Sequence, residues 1–276
     1  MQLYGVLGNP IAHSKSPMIH AMFARNCGIE LEYKAFCLAK DNFEGELAEL
    51  IHQGLLGANV TVPFKENAFR FAHELTIEAK EAGAVNTLRF SDDKFIGHNT
   101  DGNGLLCDLV ERHHLQLSDQ RILVLGAGGA TKGILGPLLR AHPAEIVISN
   151  RTYEKAVQLA EDFSKEGNIH ACEWQKLSGK FDVIINATSS SLSNEFTPLP
   201  CEIDSDTIGY DLMYGTKPTV FMEYLADNGV EKSFDGLGML VEQAALSFEF
   251  WHGVKPETEM VYQDLRQVLL SYTADC

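Results

Sequence analysis

The chain has 276 residues, and its 22 lysines and arginines stand against 38 aspartates and glutamates, a formal net charge of -16. A surface of this sign repels phosphate backbones and anionic lipid heads, and no run of four or more basic residues offsets it, which argues against nucleic-acid and membrane-surface partners. With 45% hydrophobic and 22% charged residues, the composition is that of a globular protein.

The cysteines and histidines show no pattern typical of a disulfide framework or a metal site. The six cysteines are scattered without a C-x-x-C pair, and the ten histidines include no H-E-x-x-H motif. We therefore expect reduced thiols, a cytoplasmic protein and no metal ion. No basic region followed by an apolar core opens the chain, and no run of 18 apolar residues occurs, so neither secretion nor membrane spanning is expected.

Strand-like and helix-like segments alternate along the chain, which predicts an α/β fold with a mainly parallel sheet. Residues 2–7 are predicted to form a strand and 17–27 a helix, with Ser16 as its N-cap and Gly28 at its end. The elements predicted next are a helix at 43–53, a strand at 57–62, a hairpin of 84–90 and 94–97 turning at 91–93, and a helix at 103–113.

Polar side chains gather around the strand predicted at 57–62. Its alternation places two polar residues on one face, Asn59 and Thr61, and three apolar residues on the other, Ala58, Val60 and Val62. Lys65 follows at the start of a helix, and Asp101 lies in a polar junction at 99–102. A lysine beside a carboxylate can give and take a proton. A solvated lysine at a helix start is the alternative, and spacing alone does not exclude it.

Two serines, Ser14 and Ser16, precede the first predicted helix. Hydroxyls and backbone N–H groups at a helix N-terminus suit a carboxylate ligand. Simple capping by Ser16 is the alternative, although capping explains only one of the two serines.

A glycine-rich turn at 126–130 joins a predicted strand to an amphipathic helix. Gly126 provides the tight turn, and Gly128 allows the backbone to approach a pyrophosphate at the helix N-terminus. Thr131 stands where the third glycine of the dinucleotide motif is expected. Glycines also make turns that bind nothing, but the strand that follows at 145–150 favours a dinucleotide site.

The end of that second strand indicates which cofactor is bound. An NAD site has an acidic residue there for the ribose 2′-hydroxyl, whereas this chain has Asn150-Arg151-Thr152 and then Lys155. A guanidinium, a hydroxyl and an ammonium suit the 2′-phosphate of NADP. The alternative is a solvated helix start with an ordinary charge pattern.

The rest of the chain continues the nucleotide-binding pattern. Further strands are predicted at 181–186 and 207–212, helices at 152–166 and 217–228, a tight loop at 235–238, and final helices at 239–252 and 257–272. These last two helices have no strand partner, so we expect them to return to the first domain. The predicted domains are a substrate domain at 1–101, a Rossmann-like domain at 102–238, and C-terminal helices at 239–276.

Taken together, these motifs make the chain resemble the shikimate dehydrogenase family. The matching segments, in family order, are GNPIAHSKSPMIH (8–20), GANVTVPFKE (57–66), GAVNT (83–87), NTDGNG (99–104), GAGGATKG (126–133), NRT (150–152), NATSS (186–190), YDLMYG (210–215) and DGLGMLVEQAA (235–245). They span nearly the whole chain, so the resemblance extends to both predicted domains.

The resemblance implies NADPH-dependent, reversible reduction of 3-dehydroshikimate to shikimate, in aromatic amino-acid (chorismate) biosynthesis, at a site in the cleft between two α/β domains. The implied catalytic residues are Lys65 and Asp101. Those implied to bind substrate are Ser14, Ser16, Asn59, Thr61, Asn86, Asp101, Tyr214 and Gln243. Those implied to bind NADP are Gly126, Ala127, Gly128, Gly129, Ala130, Asn150, Arg151, Thr152, Lys155, Leu212 and Gly236. Monomer and homodimer both remain open.

Two positions depart from the family pattern. Ser191 stands where relatives often have glycine, so the loop near the nicotinamide ribose is expected to differ. Lys155 stands where relatives often have arginine, which leaves the strength of the NADP preference open. Two rival functions remain: a quinate/shikimate dehydrogenase that prefers NAD, and a catalytically silent NADP-binding sensor.

Overall fold

The computed structural model describes residues 1–91, 94–188 and 196–271, and these form two compact units. One unit consists of Met1–Gly104 and Val241–Gln263, and the other of Leu105–Leu240 and 264–271. Each is built on a six-stranded sheet with helices packed against it, which confirms the predicted α/β class.

The predicted domain limits, 101/102 and 238/239, stay a prediction. In the structure the divisions fall inside helices, and residues 264–271 group with the second unit rather than with the first. The turn at Asp92 and Asp93, the motif and loop residues Ser189 to Ser191, and Cys276 lie outside the described ranges.

The first unit carries the elements from the N-terminus to the polar junction, together with part of the C-terminal helices. Its elements are β1 (Gln2–Gly8), α1 (Ser16–Cys27), β2 (Leu31–Cys37), α2 (Phe43–His52), β3 (Leu55–Val60), α3 (Lys65–Phe71), β4 (Glu74–Leu75), α4 (Ile77–Ala82), β5 (Thr87–Ser91), β6 (Lys94–His98) and the start of α5 (Asp101–Leu106). The strand order is β2-β1-β3-β5-β6-β4.

This first sheet is mixed. β1 runs parallel to β2 and β3, and β4 runs parallel to β6, whereas β5 pairs antiparallel with β3 and with β6. Helices α2 and α3 cover one face, where large apolar side chains such as Leu47, Phe64 and Leu88 are almost completely buried. Burial of such side chains is the main stabilising contribution to a domain of this size.

Two local predictions for this unit are wrong. Ser16 is not the N-cap of α1: Lys15 holds that position, and the Ser14 Oγ accepts a hydrogen bond from the Ser16 N–H at 3.3 Å. The strand predicted at 57–62 is shifted and ends at Val60. Val62 therefore does not share the buried face of that strand, and 70% of it is exposed. Pro63 has no N–H group to continue the ladder.

The strand β2 was not predicted from the sequence. Its residues alternate in the segment LEYKAFC, but only partly buried and exposed side chains line it. A single outer strand of this kind has a weak apolar pattern, because one edge and much of its surface face solvent.

The second unit follows the predicted strand-helix alternation. Its elements are a π-helix (Cys107–Arg112) continuing α5, β7 (Arg121–Leu125), α6 (Gly129–Arg140), β8 (Glu145–Ser149), α7 (Tyr153–Phe163), β9 (Ile169–Ala171), a 3₁₀ turn (Trp174–Lys176), β10 (Val183–Asn186), β11 (Ile208–Asp211), α8 (Val220–Asp227), β12 (Lys232–Asp235) and the start of α9 (Leu237–His252). α10 (Glu259–Ser271) ends in this unit.

All strand pairs of the second sheet are parallel, in the order β12-β11-β10-β7-β8-β9. Read from β9, this is the order 3-2-1-4-5-6 of the dinucleotide-binding fold, which confirms the Rossmann-like prediction. The order reverses beside β7, and ligands of such sheets bind outside the carboxyl ends of the strands at this switch point. The glycine-rich turn follows β7 directly.

The prediction of a tight loop at 235–238 is wrong. Asp235 ends the unpredicted strand β12, and α9 begins already at Leu237. Gly236 is required in this short turn, because a Cβ there would lie 2.2 Å from the Leu212 carbonyl oxygen. Arg266 of α10 donates two hydrogen bonds to the Asp235 carboxylate, which ties the end of α10 to this turn.

Among the described residues, no helix is long and apolar enough to cross a membrane. Within the same ranges, no three histidine, cysteine or acidic side chains cluster in a way that would hold a metal ion.

Candidate active site

Lys65 and Asp101 form an ion pair in the first unit. The Lys65 Nζ lies 2.6 Å from the Asp101 Oδ2, and both side chains are partly buried. Lys65 begins α3 and Asp101 begins α5, so two helix starts bring the pair together across 36 positions of sequence. The structure thus joins the two residues that the spacing alone left unconnected.

Asn86 holds the other oxygen of the Asp101 carboxylate. Its Nδ2 donates to the Asp101 Oδ1 at 2.8 Å and also lies 3.3 Å from the Gln243 Oε1. Each carboxylate oxygen of Asp101 therefore has its own donor, one from an ammonium and one from an amide. Charge-assisted hydrogen bonds of this kind orient a carboxylate strongly.

Gln243 reaches the site from α9. Gly104 of α5 allows this approach, because a Cβ there would lie 2.7 Å from the Gln243 Cβ and 2.8 Å from its backbone nitrogen. Thr100 donates to the Gln243 backbone oxygen at 2.9 Å. The predicted residues Lys65, Asn86, Asp101 and Gln243 are thus one contiguous group.

The predicted carboxylate ligands of the first unit lie at the start of α1 and just after β3. Ser16 is buried in the first turn of α1, and Ser14 is partly buried in the preceding loop. Thr61 follows β3, where its N–H donates to the Leu7 oxygen at 2.9 Å. Tyr214 belongs to the second unit, where burial raises the pKa of its phenol and the nearby Asp235 raises it further.

Asn59, predicted to bind substrate, lies in a buried hydrogen-bond network. Its Oδ1 lies 2.7 Å from the Tyr33 hydroxyl and 3.1 Å from the His20 Nε2. Its Nδ2 donates to the Asn86 backbone oxygen, which can only accept, so the amide orientation is determined and Tyr33 and His20 must both donate. These hydrogen bonds hold the Asn59 amide in one orientation.

The same network predicts a pH dependence of stability. His20 is completely buried, and loss of solvation lowers its pKa to about 3, with the Asn59 hydrogen bond opposing this shift. The unfolded chain therefore binds a proton at His20 below pH ~6.5, whereas the folded chain binds it only below about pH 3. As the pH is lowered through this window, the free energy of unfolding decreases by up to about 1.4 kcal/mol per pH unit.

We expect the unfolding free energy of the wild type to decrease more between pH 7 and pH 5 than that of His20→Gln, by roughly 2 kcal/mol. Urea unfolding at both pH values measures this difference. His13→Gln, in an exposed loop, is the matched control and should keep the wild-type dependence. Equal pH dependence of His20→Gln and wild type would contradict the neutral, buried state of His20.

The glycine-rich turn of the second unit has the geometry of a phosphate-binding turn. Gly126 has a positive φ of 107°, and a Cβ there would crowd the Ala187 oxygen at 3.1 Å. Cβ atoms built at Gly128 and Gly129 meet nothing within 4 Å, so the start of α6 is open. Ala127 is partly buried and Ala130 exposed. Thr131, in place of the third glycine, donates its hydroxyl to the Gly126 oxygen at 3.0 Å.

The predicted phosphate clamp lies at the end of β8 and the start of α7. Arg151, Thr152 and Lys155 are exposed, and neither cation forms an ion pair with a described side chain. The Thr152 hydroxyl makes no capping hydrogen bond to α7. Asn150 differs, because its Nδ2 donates to the Thr152 oxygen at 2.8 Å and shapes the turn.

Leu212 and Gly236, predicted for the nicotinamide side, are in direct contact. The Leu212 N–H donates to the Asn186 oxygen, and the Gly236 N–H donates to the Met213 oxygen at 3.0 Å. A buried pair holds the same region: the Tyr210 hydroxyl donates to Asp108 of the π-helix at 2.6 Å.

Sequence reasoning missed several residues that support the site. Tyr33 lies partly buried on the unpredicted strand β2, and four further residues are fully buried: His20, Thr87, Thr100 and Ser247. His20, Thr87 and Thr100 stand inside the motifs GNPIAHSKSPMIH, GAVNT and NTDGNG, and this was the available signal for them. Buried hydroxyls leave no periodic pattern, since they occupy positions that a strand or helix would otherwise give to apolar residues.

Three family models match the chain in order. The shikimate dehydrogenase substrate binding domain matches residues 6–88, shikimate / quinate 5-dehydrogenase matches 108–194, and the shikimate 5′-dehydrogenase C-terminal domain matches 236–266.

Relatives match over nearly their whole length. A shikimate dehydrogenase (NADP(+)) from Aeromonas salmonicida is 49% identical over 271 residues, covering 98% of this chain and 99% of the relative. One from Vesicomyosocius okutanii is 47% identical, covering 97% and 100%. The structure of shikimate 5-dehydrogenase from Thermus thermophilus in complex with NADP(H) and shikimate has a TM-score of 0.86 and 32% identity, covering 98% of this chain and 100% of that chain. The chain therefore belongs to the shikimate dehydrogenase family.

Proposed function

We propose that this chain is an NADP-dependent oxidoreductase that reversibly reduces 3-dehydroshikimate to shikimate, a step of aromatic amino-acid biosynthesis. The family membership and the relatives named shikimate dehydrogenase (NADP(+)) support the reaction class. The observation that carries the chemistry is the pair of Lys65 and Asp101, at 2.6 Å, with Asn86 on the other carboxylate oxygen.

Reduction of a ketone requires a proton for the oxygen on which negative charge develops. When bound, NADPH supplies the hydride for the ketone carbon. Lys65 donates a proton from its Nζ to the developing alkoxide, and Asp101 keeps the ammonium aimed at that oxygen. In the reverse direction the Lys65 amine accepts the hydroxyl proton, and the carboxylate of Asp101 stabilises the ammonium that forms.

The substrate carboxylate and ring hydroxyls call for different residues. We assign Ser14, Ser16, Thr61 and Tyr214 to the carboxylate, since hydroxyl groups and the N-terminus of α1 favour an anion. We assign Asn86, Asp101 and Gln243 to ring hydroxyls. Asn59 becomes a positioning residue, because its amide is already engaged within the protein.

The second unit fits a dinucleotide phosphate. The open start of α6 at Gly128 and Gly129 leaves room for a pyrophosphate, and α6 carries no side-chain cap that would compete for its N–H groups. Arg151 and Lys155, without ion partners among the described residues, fit the 2′-phosphate, and the Thr152 hydroxyl adds a donor. Leu212 and Gly236 would line the nicotinamide side. No acidic side chain of 150–152 would repel the phosphate.

The reaction is tested by following absorbance at 340 nm with purified protein, shikimate and NADP. We expect turnover with shikimate, and kcat/KM for NADP well above that for NAD. A reversed cofactor preference, or better turnover with quinate, would favour the quinate/shikimate rival. NADP binding without turnover of either acid would favour the silent sensor.

We also propose a cytoplasmic location. The five described cysteines form no disulfide with one another, in keeping with a reducing compartment. Size-exclusion chromatography with light scattering distinguishes a monomer from a homodimer.

A further inference from the structure

A cluster of buried polar side chains lies next to Asn86 in the first unit. Asn59, Thr87 and Ser247 are at most 6% exposed. The Thr87 Oγ1 lies 2.7 Å from the Ser247 Oγ and 3.2 Å from the Asn59 Nδ2, and the Asn59 Nδ2 lies 2.9 Å from the Ser247 Oγ. A buried hydroxyl is costly unless it is paired, and valine would fill nearly the same space as Thr87. The hydroxyl of Thr87 therefore needs an explanation beyond packing.

The Thr87 hydroxyl contributes to the orientation of the Asn86 amide. The Asn86 Oδ1 accepts hydrogen bonds from the Thr87 hydroxyl and from the Thr100 backbone N–H, both at 2.9 Å. Because an N–H can only donate, the oxygen of this amide must face Thr87 and Thr100. Its Nδ2 is consequently directed at the Asp101 Oδ1, 2.8 Å away.

The donors and acceptors that orient Asn86 extend from Thr87 to Asn59. The Asn86 Oδ1 can only accept, so its hydrogen bond with Thr87 uses the Thr87 proton, and the Thr87 oxygen accepts from the Asn59 Nδ2 and from the Ser247 hydroxyl. Asn59 is itself held by donors from Tyr33 and His20 on its oxygen. Asn59 thus orients the Thr87 hydroxyl, the Thr87 hydroxyl helps to orient the Asn86 amide, and the Asn86 amide donates to the Asp101 carboxylate.

We infer that Thr87 is a positioning residue for the Lys65 and Asp101 pair. Its hydroxyl keeps the NH₂ group of Asn86 on one oxygen of Asp101, which leaves the other oxygen for the Lys65 ammonium. If the amide turned over, its oxygen would face the carboxylate and repel it. The expected effect of Thr87 on catalysis rests on the proposed function, whereas the orientation of the hydrogen bonds around Asn86 does not.

Two variants at one position test the inference. Thr87→Val keeps the shape and removes the hydroxyl, and Thr87→Ser restores it. We expect Thr87→Val to lower kcat about tenfold and to shift the pH profile of kcat, while KM for NADP stays within about twofold. Thr87→Ser should remain close to wild type. Wild-type kcat and pH profile in a folded Thr87→Val protein would overturn the inference.

A double-mutant cycle asks whether Thr87 acts through Asn86. In an Asn86→Ala background, Thr87→Val should lower kcat no further, and an undiminished loss would overturn the inference. If wild type shows no turnover with shikimate, the proposed function fails, and the positioning role is read from ¹⁵N NMR instead. The Asn86 side-chain amide protons should exchange faster in Thr87→Val than in wild type, or in Thr87→Ala if the valine variant does not fold. Unchanged exchange would contradict the inference.

Discussion

Lys65→Ala is expected to lower kcat for shikimate oxidation by a factor of about 10²–10⁴, the size typical of a lost general acid–base group. The ammonium contributes only when charge develops on the substrate oxygen, so KM for NADP should change little. Removing a partly buried cation should disturb folding far less than it disturbs turnover. Steady-state rates at 340 nm and a thermal unfolding midpoint measure both effects.

The matched control for this variant is Lys94→Ala. Lys94 forms an ion pair of the same length, 2.6 Å to Glu74, but both side chains of that pair are largely exposed on the first unit. Its loss should leave kcat unchanged. Asp101→Ala should resemble Lys65→Ala, because it leaves the ammonium without its orienting carboxylate. Near-normal turnover by either Lys65→Ala or Asp101→Ala would contradict the catalytic assignment.

The double variant Arg151→Ala, Lys155→Ala is expected to raise KM for NADP by about 10²–10³-fold. Each cation is exposed and has no ion partner among the described residues, so a 2′-phosphate would gain one charge-assisted hydrogen bond or more from each. Since NAD lacks this phosphate, its KM should change by no more than about threefold. Initial rates over a range of each cofactor measure the two constants separately.

Lys165→Ala is the control for this experiment, because Lys165 is an exposed lysine just beyond the other end of α7. It should leave both cofactor constants unchanged, which shows that net charge alone does not account for the loss. If the double variant raised KM for NAD and KM for NADP equally, the two cations would not be contacting the 2′-phosphate. The single variants would then show whether Arg151 contributes more than Lys155, as a planar guanidinium should.

Much of the second unit was predictable from local sequence. A parallel sheet buried on both faces requires continuous apolar strands such as β7 and β8, and the glycine-rich turn between β7 and α6 leaves a distinct signature. Those two features predict the Rossmann-like fold, which the structure confirms, and a nucleotide site beside it. The short edge strand β12 escaped prediction, since an outer strand carries a weaker apolar pattern. For the same reason β2 of the first unit was missed.

The composition and motifs also determined which residue types carry the chemistry. Lys65, Asp101 and Asn86 stand in motifs that indicate their roles, as does Arg151, and Lys155 follows the motif NRT. The sequence could not determine the hydrogen-bond partners of each side chain. The resemblance implies that Asn59 binds substrate, and only the structure shows that its amide is engaged by buried groups from distant strands and helices.

The sequence by itself thus predicted the α/β class and the nucleotide-binding turn, because these depend on local periodicity and on turns of few residues, while the resemblance to the family indicated which side chains react. The tertiary structure alone decided that Lys65 meets Asp101, that Thr100 and Asn59 complete the network around Asn86, and that His20 is held neutral. Many contacts of this network join residues from 14 to 188 positions apart, and hydrogen bonds and desolvation depend on distance in space, which no local pattern records.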